Sequence, residues 1–268
     1  MSKFDDALKG LSPQEKKAVL RGLQGQKTQQ KFKHSFGSKH FKFGYFSDSH
    51  IGHKEFSLEL WDKMVKVFKR EKIDRVFCPG DITEGMSGRD GHIYELTHIG
   101  ASAQIEYASE LINQIQAEVL GISGNHDNWF QIKGNMGLSV GEEIAQRCPN
   151  FTFLGDWEAD VEIAKGIWLK LYHGNDGSAY ATSYKIQKLI ESFTGGEKPN
   201  IVLSGHYHKS LYSFIRNVHA FECGTICGQT RWMRGKKIAA HMGFGIVELW
   251  LGKGIERLRH EFFPHYEE

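Results

Sequence analysis

The stretch from Phe41 to His53, Phe-Lys-Phe-Gly-Tyr-Phe-Ser-Asp-Ser-His-Ile-Gly-His, constrains the fold more than any other part of the chain. Phe41, Phe43 and Tyr45 alternate with small or polar residues, the period of a strand with one face in a core. The strand runs into Asp48-Ser49-His50. Residues two apart on extended backbone point the same way, so a carboxylate and an imidazole are expected to leave the strand end side by side. Gly52 then lets the chain turn away. Such a pair can hold one metal ion, and four later stretches supply more groups of the same kind.

These are Gly80-Asp81, Gly124-Asn125-His126-Asp127, Tyr172-His173-Gly174 and Gly205-His206-Tyr207-His208. Most of them follow a predicted strand. Strands are expected over 74–78, 117–122, 167–172, 200–203, 211–214, 218–222, 246–251 and 256–263. Helices are expected over 55–70, 101–116, 138–148 and 182–193. The first of these would bury Leu58, Trp61, Met64, Val65 and Phe68 on one face. Strands alternating with helices imply an α/β body built on sheet layers. Ligands of open α/β sheets bind beyond the carboxyl ends of strands, so side chains far apart in sequence are expected to meet in one cleft.

Residues 1–40 read as an appendage to a body of residues 41–268. Ser12-Pro13-Gln14-Glu15 is a helix start, with Ser as N-cap and Pro at the first helical position. The stretch 24–40 reads as a linker or partly ordered arm. Residues 1–42 hold ten Lys/Arg against three Asp/Glu, a balance of +7, and the remainder carries −5. A basic arm before an acidic body suits a polyanionic partner and equally suits a solvated tail. There is no apolar run long enough to cross a membrane and no apolar segment near Met1 of the kind that directs secretion. The four cysteines, Cys78, Cys148, Cys223 and Cys227, are too few for a disulfide scaffold and read as small buried apolar residues of a cytoplasmic protein.

The ordered set Asp-x-His, Gly-Asp, Gly-Asn-His-Asp, a single His and Gly-His-x-His resembles that of the calcineurin-like metallophosphoesterase superfamily, over about Phe41 to Phe263. The resemblance implies an α/β fold, a four-layer α/β/β/α sandwich, with two divalent metal ions at one edge. It implies that Asp48, His50 and His208 bind one ion, that Asn125, His173 and His206 bind the other, and that Asp81 bridges them. It makes His126 the acid or phosphate-binding histidine and has Asp127 orient it. The implied reaction is attack on phosphorus by a hydroxide bridging two ions. Four His, two Asp and one Asn suit Mn²⁺, Fe or Zn²⁺ better than the oxygen-seeking Ca²⁺ or Mg²⁺ and do not choose among the first three; Mn²⁺ is the leading expectation, with Fe or Zn²⁺ as alternatives.

Gly80-Asp81-Ile82-Thr83-Glu84-Gly85 lacks the arginine that the family's protein phosphatases carry there. The set looks more like the DNA-repair-exonuclease and phosphodiesterase branches. A nuclease-like phosphodiesterase acting on DNA or RNA is therefore the leading expectation. A phosphomonoesterase or a small-nucleotide or cyclic-nucleotide phosphodiesterase is the enzymatic alternative, and a non-catalytic scaffold subunit of a nucleic-acid complex is a third reading. Candidate substrate contacts are His53, Trp129, Arg231, Trp232 and Arg234, the last three in a stretch that mixes cations with an aromatic ring. The segment 84–100 is a long insertion suited to shaping a substrate site. The oligomeric state is left open, a homodimer included.

Overall fold

In a computed structural model of the chain, the residues described are 30–33, 39–131, 137–177, 179–196 and 198–266. The helix expected from Ser12 lies outside them. The elements, in chain order, are β1 (Gln30–Lys33), β2 (His40–Tyr45), α1 (Leu58–Arg70), β3 (Arg75–Cys78), α2 (Ala101–Ile112), β4 (Glu118–Ser123) and α3 (Val140–Arg147). They continue as β5 (Phe151–Asp156), β6 (Glu158–Ala164), β7 (Ile167–His173), α4 (Tyr184–Ser192), β8 (Ile201–Gly205), β9 (Ser210–Ile215) and β10 (Val218–Cys223). Last come α5 (Arg231–Gly235), β11 (Gly243–Leu251) and β12 (Ile255–Pro264).

Two six-stranded sheets result. The first runs β1-β6-β7-β8-β10-β9 and the second β12-β11-β2-β3-β4-β5. The period-two pattern of the strands decides the layering. Phe41, Phe43 and Tyr45 of β2, Leu120 and Ile122 of β4, Leu169 and Leu171 of β7, and Val247 and Leu249 of β11 all face one apolar core between the sheets. The opposite face of the second sheet, with Val76, Val119 and Ile246, meets Trp61 and Met64 of α1, Ile105 and Ala108 of α2 and Ile144 of α3. On the far side of the first sheet, Ile186 and Ile190 of α4 cover Val202, Val218 and Ala220. The order is helix, sheet, sheet, helix, the expected four-layer sandwich.

Several local expectations change. Helix α1 begins at Leu58 because the Ser57 hydroxyl accepts from Leu60 N at 3.2 Å and caps it. That register buries Leu60 and Val67 with Trp61, Met64 and Phe68, and leaves Leu58 47% exposed. Strands β5 and β6 were not legible in the sequence. In β6 a charged residue, Asp160, sits mid-strand opposite Lys170 of β7 and pairs with its ammonium at 3.0 Å. Four residues of the stretch read as a linker form β1, parallel to β6, and Phe32 packs on the inter-sheet core. All four cysteines are buried, and none forms a disulfide. Among the described residues no helix is long and apolar enough to cross a membrane.

Candidate metal centre

The parallel strands β2, β3 and β4 of the second sheet and β7 and β8 of the first deliver their carboxyl ends to one edge of the sandwich. There the backbone departs from the simple sequence picture. β2 ends at Tyr45, and Asp48 and His50 follow it with φ of 50° and 48°. Asp81, His206 and His208 also have positive φ, at 51°, 84° and 54°. Left-handed turns, rather than strand alternation, bring Asp48 beside His50 and His206 beside His208. Five non-glycine residues in this sparsely populated region form a cluster of backbone strain, which a fold retains where the surrounding contacts over-determine it. The contacts are present: Asp48 N donates to Gly80 O at 3.1 Å, His50 N to Asp81 O at 3.1 Å, and His206 N to Asp48 Oδ1 at 2.9 Å.

One cluster gathers Asp48, His50 and His208. The Nε2 atoms of His50 and His208 lie 3.0 Å apart, and His208 Nε2 is 3.5 Å from Asp48 Oδ1. His50 Nδ1–H donates to Glu84 Oε2 at 2.7 Å, so its Nε2 carries a lone pair aimed at His208. The carboxylate is bound by a hydrogen bond from Ser47 Oγ at 2.5 Å.

A second cluster gathers Asp81, His173 and His206, with Asn125 beside them. His173 Nδ1–H donates to Pro79 O at 2.7 Å and His206 Nε2–H to Asp176 O at 2.8 Å. The remaining ring nitrogens, His173 Nε2 and His206 Nδ1, then point lone pairs at Asn125 Oδ1 from 3.1 and 2.8 Å. Lone pairs so arranged repel unless a proton or a cation lies among them. The donor set of imidazole, carboxylate and amide oxygen, with each of these rings fixed through its other nitrogen, fits divalent transition metals. Asp81 Oδ2 stands 3.2 Å from His173 Nε2 and 3.9 Å from His50 Nε2, within reach of both clusters.

The electrostatics follow from this crowding. Burial works to lower His173, but the carboxylates of Asp81 and Asp48 outweigh it and raise the group to about 9, so that without a cation its Nε2 holds a proton where a metal would take the lone pair. Burial and the charge of His173 push His206 down to about 4. Asp81 is held well below the usual carboxylate range because His173 and His126 outweigh its burial. Two glycines make room: a Cβ on Gly124 would collide with Asp81 Oδ1 and lie 2.6 Å from His173 Nε2, and one on Gly80 would lie 2.6 Å from His173 Nδ1.

Glu84 is the residue that sequence reasoning missed. It is 4% exposed, accepts from His50 Nδ1 and from His92 Nε2 at 2.7 Å each, and its Oε2 is 3.3 Å from His126 Nδ1. His50, Glu84 and His126 also qualify as a metal-competent group by proximity. Their contacts are those of a hydrogen-bonded brace, since His50 Nδ1 and His126 Nδ1 are both spent on Glu84, the latter on its carbonyl at 2.8 Å. Burial lowers His126, but Glu84 and Asp81 outweigh it and raise the group to about 9. Asp127 does not act on His126 through that ring nitrogen. Its carboxylate accepts from the backbone N–H of Ile82, Thr83 and Gly124 at 3.1, 2.8 and 3.0 Å, which ties the turn carrying Asn125 and His126 to the loop carrying Asp81. Burial, then the charge of Asp81, raises Asp127 to about 6.

A cavity of about 540 Å³ opens over both clusters, with His50, Asp81, Asn125, His126, His206 and His208 on its floor. Trp129 and Trp232 line it, as does His53. His53 is 3% exposed, and its Nδ1 accepts from Glu55 N at 2.9 Å, so it also braces the turn after Asp48. The stretch that mixes cations with an aromatic ring forms the short helix α5. Its Trp232 and Met233 line the cavity, while Arg231 and Arg234 are exposed and do not. The insertion 84–100 contributes Ser87, Gly88 and Arg89 to the wall and carries a turn of 3₁₀ helix, His92–Glu95.

A family model described as the calcineurin-like phosphoesterase superfamily domain matches residues 41–242. The DNA polymerase II small subunit of Archaeoglobus fulgidus is 28% identical over 238 residues, covering 72% of this chain and 48% of the relative. The chain therefore spans about half the length of that protein. Among solved structures, a novel archaeal phosphodiesterase is similar with a TM-score of 0.50 at 18% identity, over 83% of this chain and 100% of the other. The E. coli phosphoesterase YfcE is similar with a TM-score of 0.46 at 15% identity, over 82% and 98% of the two chains.

Proposed function

Because the chain belongs to the calcineurin-like phosphoesterase superfamily, we propose that it is a binuclear-metal phosphodiesterase acting on nucleic acid. The observation that carries the reading is the convergence of ring lone pairs and two buried carboxylates in adjacent clusters under one cavity. Asp48, His50 and His208 would hold one ion, Asn125, His173 and His206 the other, and Asp81 would be shared. When bound, such a pair would supply Lewis-acid charge for activating water and for neutralising phosphoryl oxygens, and the donor set suits Mn²⁺, Fe or Zn²⁺ without choosing among them. His50, His173 and His206 are pre-oriented by Glu84, Pro79 O and Asp176 O, so ring geometry need not be organised on binding. His126 lines the cavity with one nitrogen held on Glu84, and its ring can donate to a phosphate oxygen or protonate the leaving oxygen. Asp127 positions that turn through the backbone.

Support for a nucleic-acid substrate comes from the similar protein of A. fulgidus, named as a DNA polymerase subunit, and from the aromatic rings in the cavity wall. The test is a Mn²⁺ activity panel of single- and double-stranded DNA, RNA, cyclic nucleotides and aryl mono- and diesters. Diesters are expected to be cleaved in preference to monoesters. A protein that carries two ions per chain by elemental analysis yet cleaves no diester would overturn the reading. The same name favours a second reading, a subunit that contributes structure to a nucleic-acid complex, and that result would select it.

A further inference from the structure

The cavity has two unlike walls. Its floor is the histidine and carboxylate cluster, and beside the insertion residues Ser87, Gly88 and Arg89 its lining holds Thr230, Trp232, Met233 and Ile238. Trp232 is 47% exposed, yet the backbone beneath it is fixed: Thr230 Oγ1 accepts from Met233 N at 3.2 Å, Ile238 N donates to Met233 O at 2.9 Å, and Gln229 Nε2 donates to Ile238 O at 2.7 Å. A half-exposed indole on a braced turn is a surface offered to a flat partner. Trp129, in the same cavity, lies against His126 with ring centroids 3.9 Å apart and the planes tilted by 33°.

The charge pattern narrows the partner. Double-stranded nucleic acid is gripped by rows of cations along its phosphates. The guanidinium in the cavity lining, Arg89, is paired with Glu95, and Arg231 and Arg234 are exposed and do not line the cavity. A space of about 540 Å³ is the size that encloses one small ligand.

We propose that this cavity is a base subsite: one unpaired nucleobase stacks on Trp232 while the phosphate attached to it reaches the histidine cluster. The ligand chemistry is a nucleoside phosphodiester with a free base, from a strand end or a small nucleotide. The proposal rests on the phosphodiesterase reading and narrows it to substrates whose base is not in a duplex.

The test compares thymidine 5′-(4-nitrophenyl phosphate) with methyl 4-nitrophenyl phosphate under Mn²⁺. Both share the leaving group, so the ratio of their kcat/KM values isolates the base. In Trp232→Ala that ratio is expected to fall about tenfold, and in Trp232→Phe to keep most of its value. An unchanged ratio in Trp232→Ala overturns the proposal. A second readout needs no turnover: thymidine 5′-monophosphate should quench the wild-type tryptophan fluorescence saturably, with the quench largely lost in Trp232→Ala. Equal quenching in both proteins, or none in wild type, overturns it as well. On oligonucleotides of one sequence, the single strand should be cut faster than the blunt duplex, and equal rates refute the unpaired-base requirement. Should the wild type fail to cleave methyl 4-nitrophenyl phosphate, the phosphodiesterase reading falls, and the quench still decides whether the base site exists.

Discussion

The two sheets furnish unlike halves of the site. The second sheet brings the carboxylates, Asp48 and Asp81, with Asn125, His126 and His50, and braces them with further carboxylates, Glu84 and Asp127. The first sheet brings only imidazoles, His173, His206 and His208, and two of them are braced on backbone carbonyls, His206 on Asp176 O and His173 on Pro79 O from the loop after β3 of the second sheet. Each cluster needs both sheets, because neither half alone joins enough imidazole to enough negative charge. The difference in bracing has a practical meaning. A side-chain brace can be removed by substitution, and a carbonyl brace cannot, so the second-sheet half is the one that mutation can loosen selectively.

The largest effect is expected where the halves meet. Asp81→Ala removes the group within reach of both clusters and should lower diester hydrolysis by about 10³-fold or more, with loss of bound metal by elemental analysis. Activity surviving at the wild-type level would break the assignment of a shared ligand. His126→Ala should cost about 10²–10⁴-fold with both ions retained, and the loss should grow as the leaving group becomes a weaker acid. Metal loss in that variant would make His126 part of the scaffold instead.

Glu84→Gln sharpens the comparison directly. It keeps a hydrogen-bond acceptor for His50 but removes the charge, and should weaken one of two Mn²⁺ sites by about 10–100-fold in a titration followed by electron paramagnetic resonance. Equal weakening of both sites would show that the Glu84 brace is not confined to the cluster that holds His50. The smallest effect lies on the outer face of the first sheet. Glu222 of β10 is 2% exposed and neither of its carboxylate oxygens has a hydrogen-bond partner. Burial, opposed in part by Lys209, raises it to about 7. A carboxyl whose folded pKa exceeds its unfolded one favours folding below the unfolded value, and that advantage is lost as pH rises through 7. Glu222→Gln should therefore leave stability nearly unchanged at pH 5 and raise it by about 1–3 kcal/mol at pH 8, measured by thermal unfolding in EDTA. A variant without that pH-dependent gain would show that the carboxylate is solvated.

How far the site was legible follows from the kind of interaction each residue makes. Each candidate ligand sits in a short local pattern next to a strand, and topology alone carries such strand ends to one edge. Glu84 was passed over because nothing local marks it. Its three histidine partners stand 34 residues before it and 8 and 42 after it. Arg231 and Arg234 looked like substrate contacts because composition reveals charge but not position, and the helical turn of α5 gives Trp232 and Met233, not the two arginines, to the cavity lining. Strand β6 was hidden by Asp160, whose burial makes sense only once Lys170 is opposite it.

What the sequence by itself determined is the set of candidate donor residues and the layering. The alternation of apolar residues in β2, β4, β7 and β11 requires a core between two sheets, and the glycine-flanked Asp, Asn and His residues require a place to converge. What only the tertiary structure decided is orientation. Positive φ at Asp48, His50, Asp81, His206 and His208 cannot be read from residue types that ordinarily avoid it, because the cost of that backbone is offset by contacts from other loops. The same long-range contacts set which nitrogen of His50, His173 and His206 faces the site. A ring's free lone pair is fixed by whatever binds its other nitrogen, and here that partner comes from elsewhere in the chain.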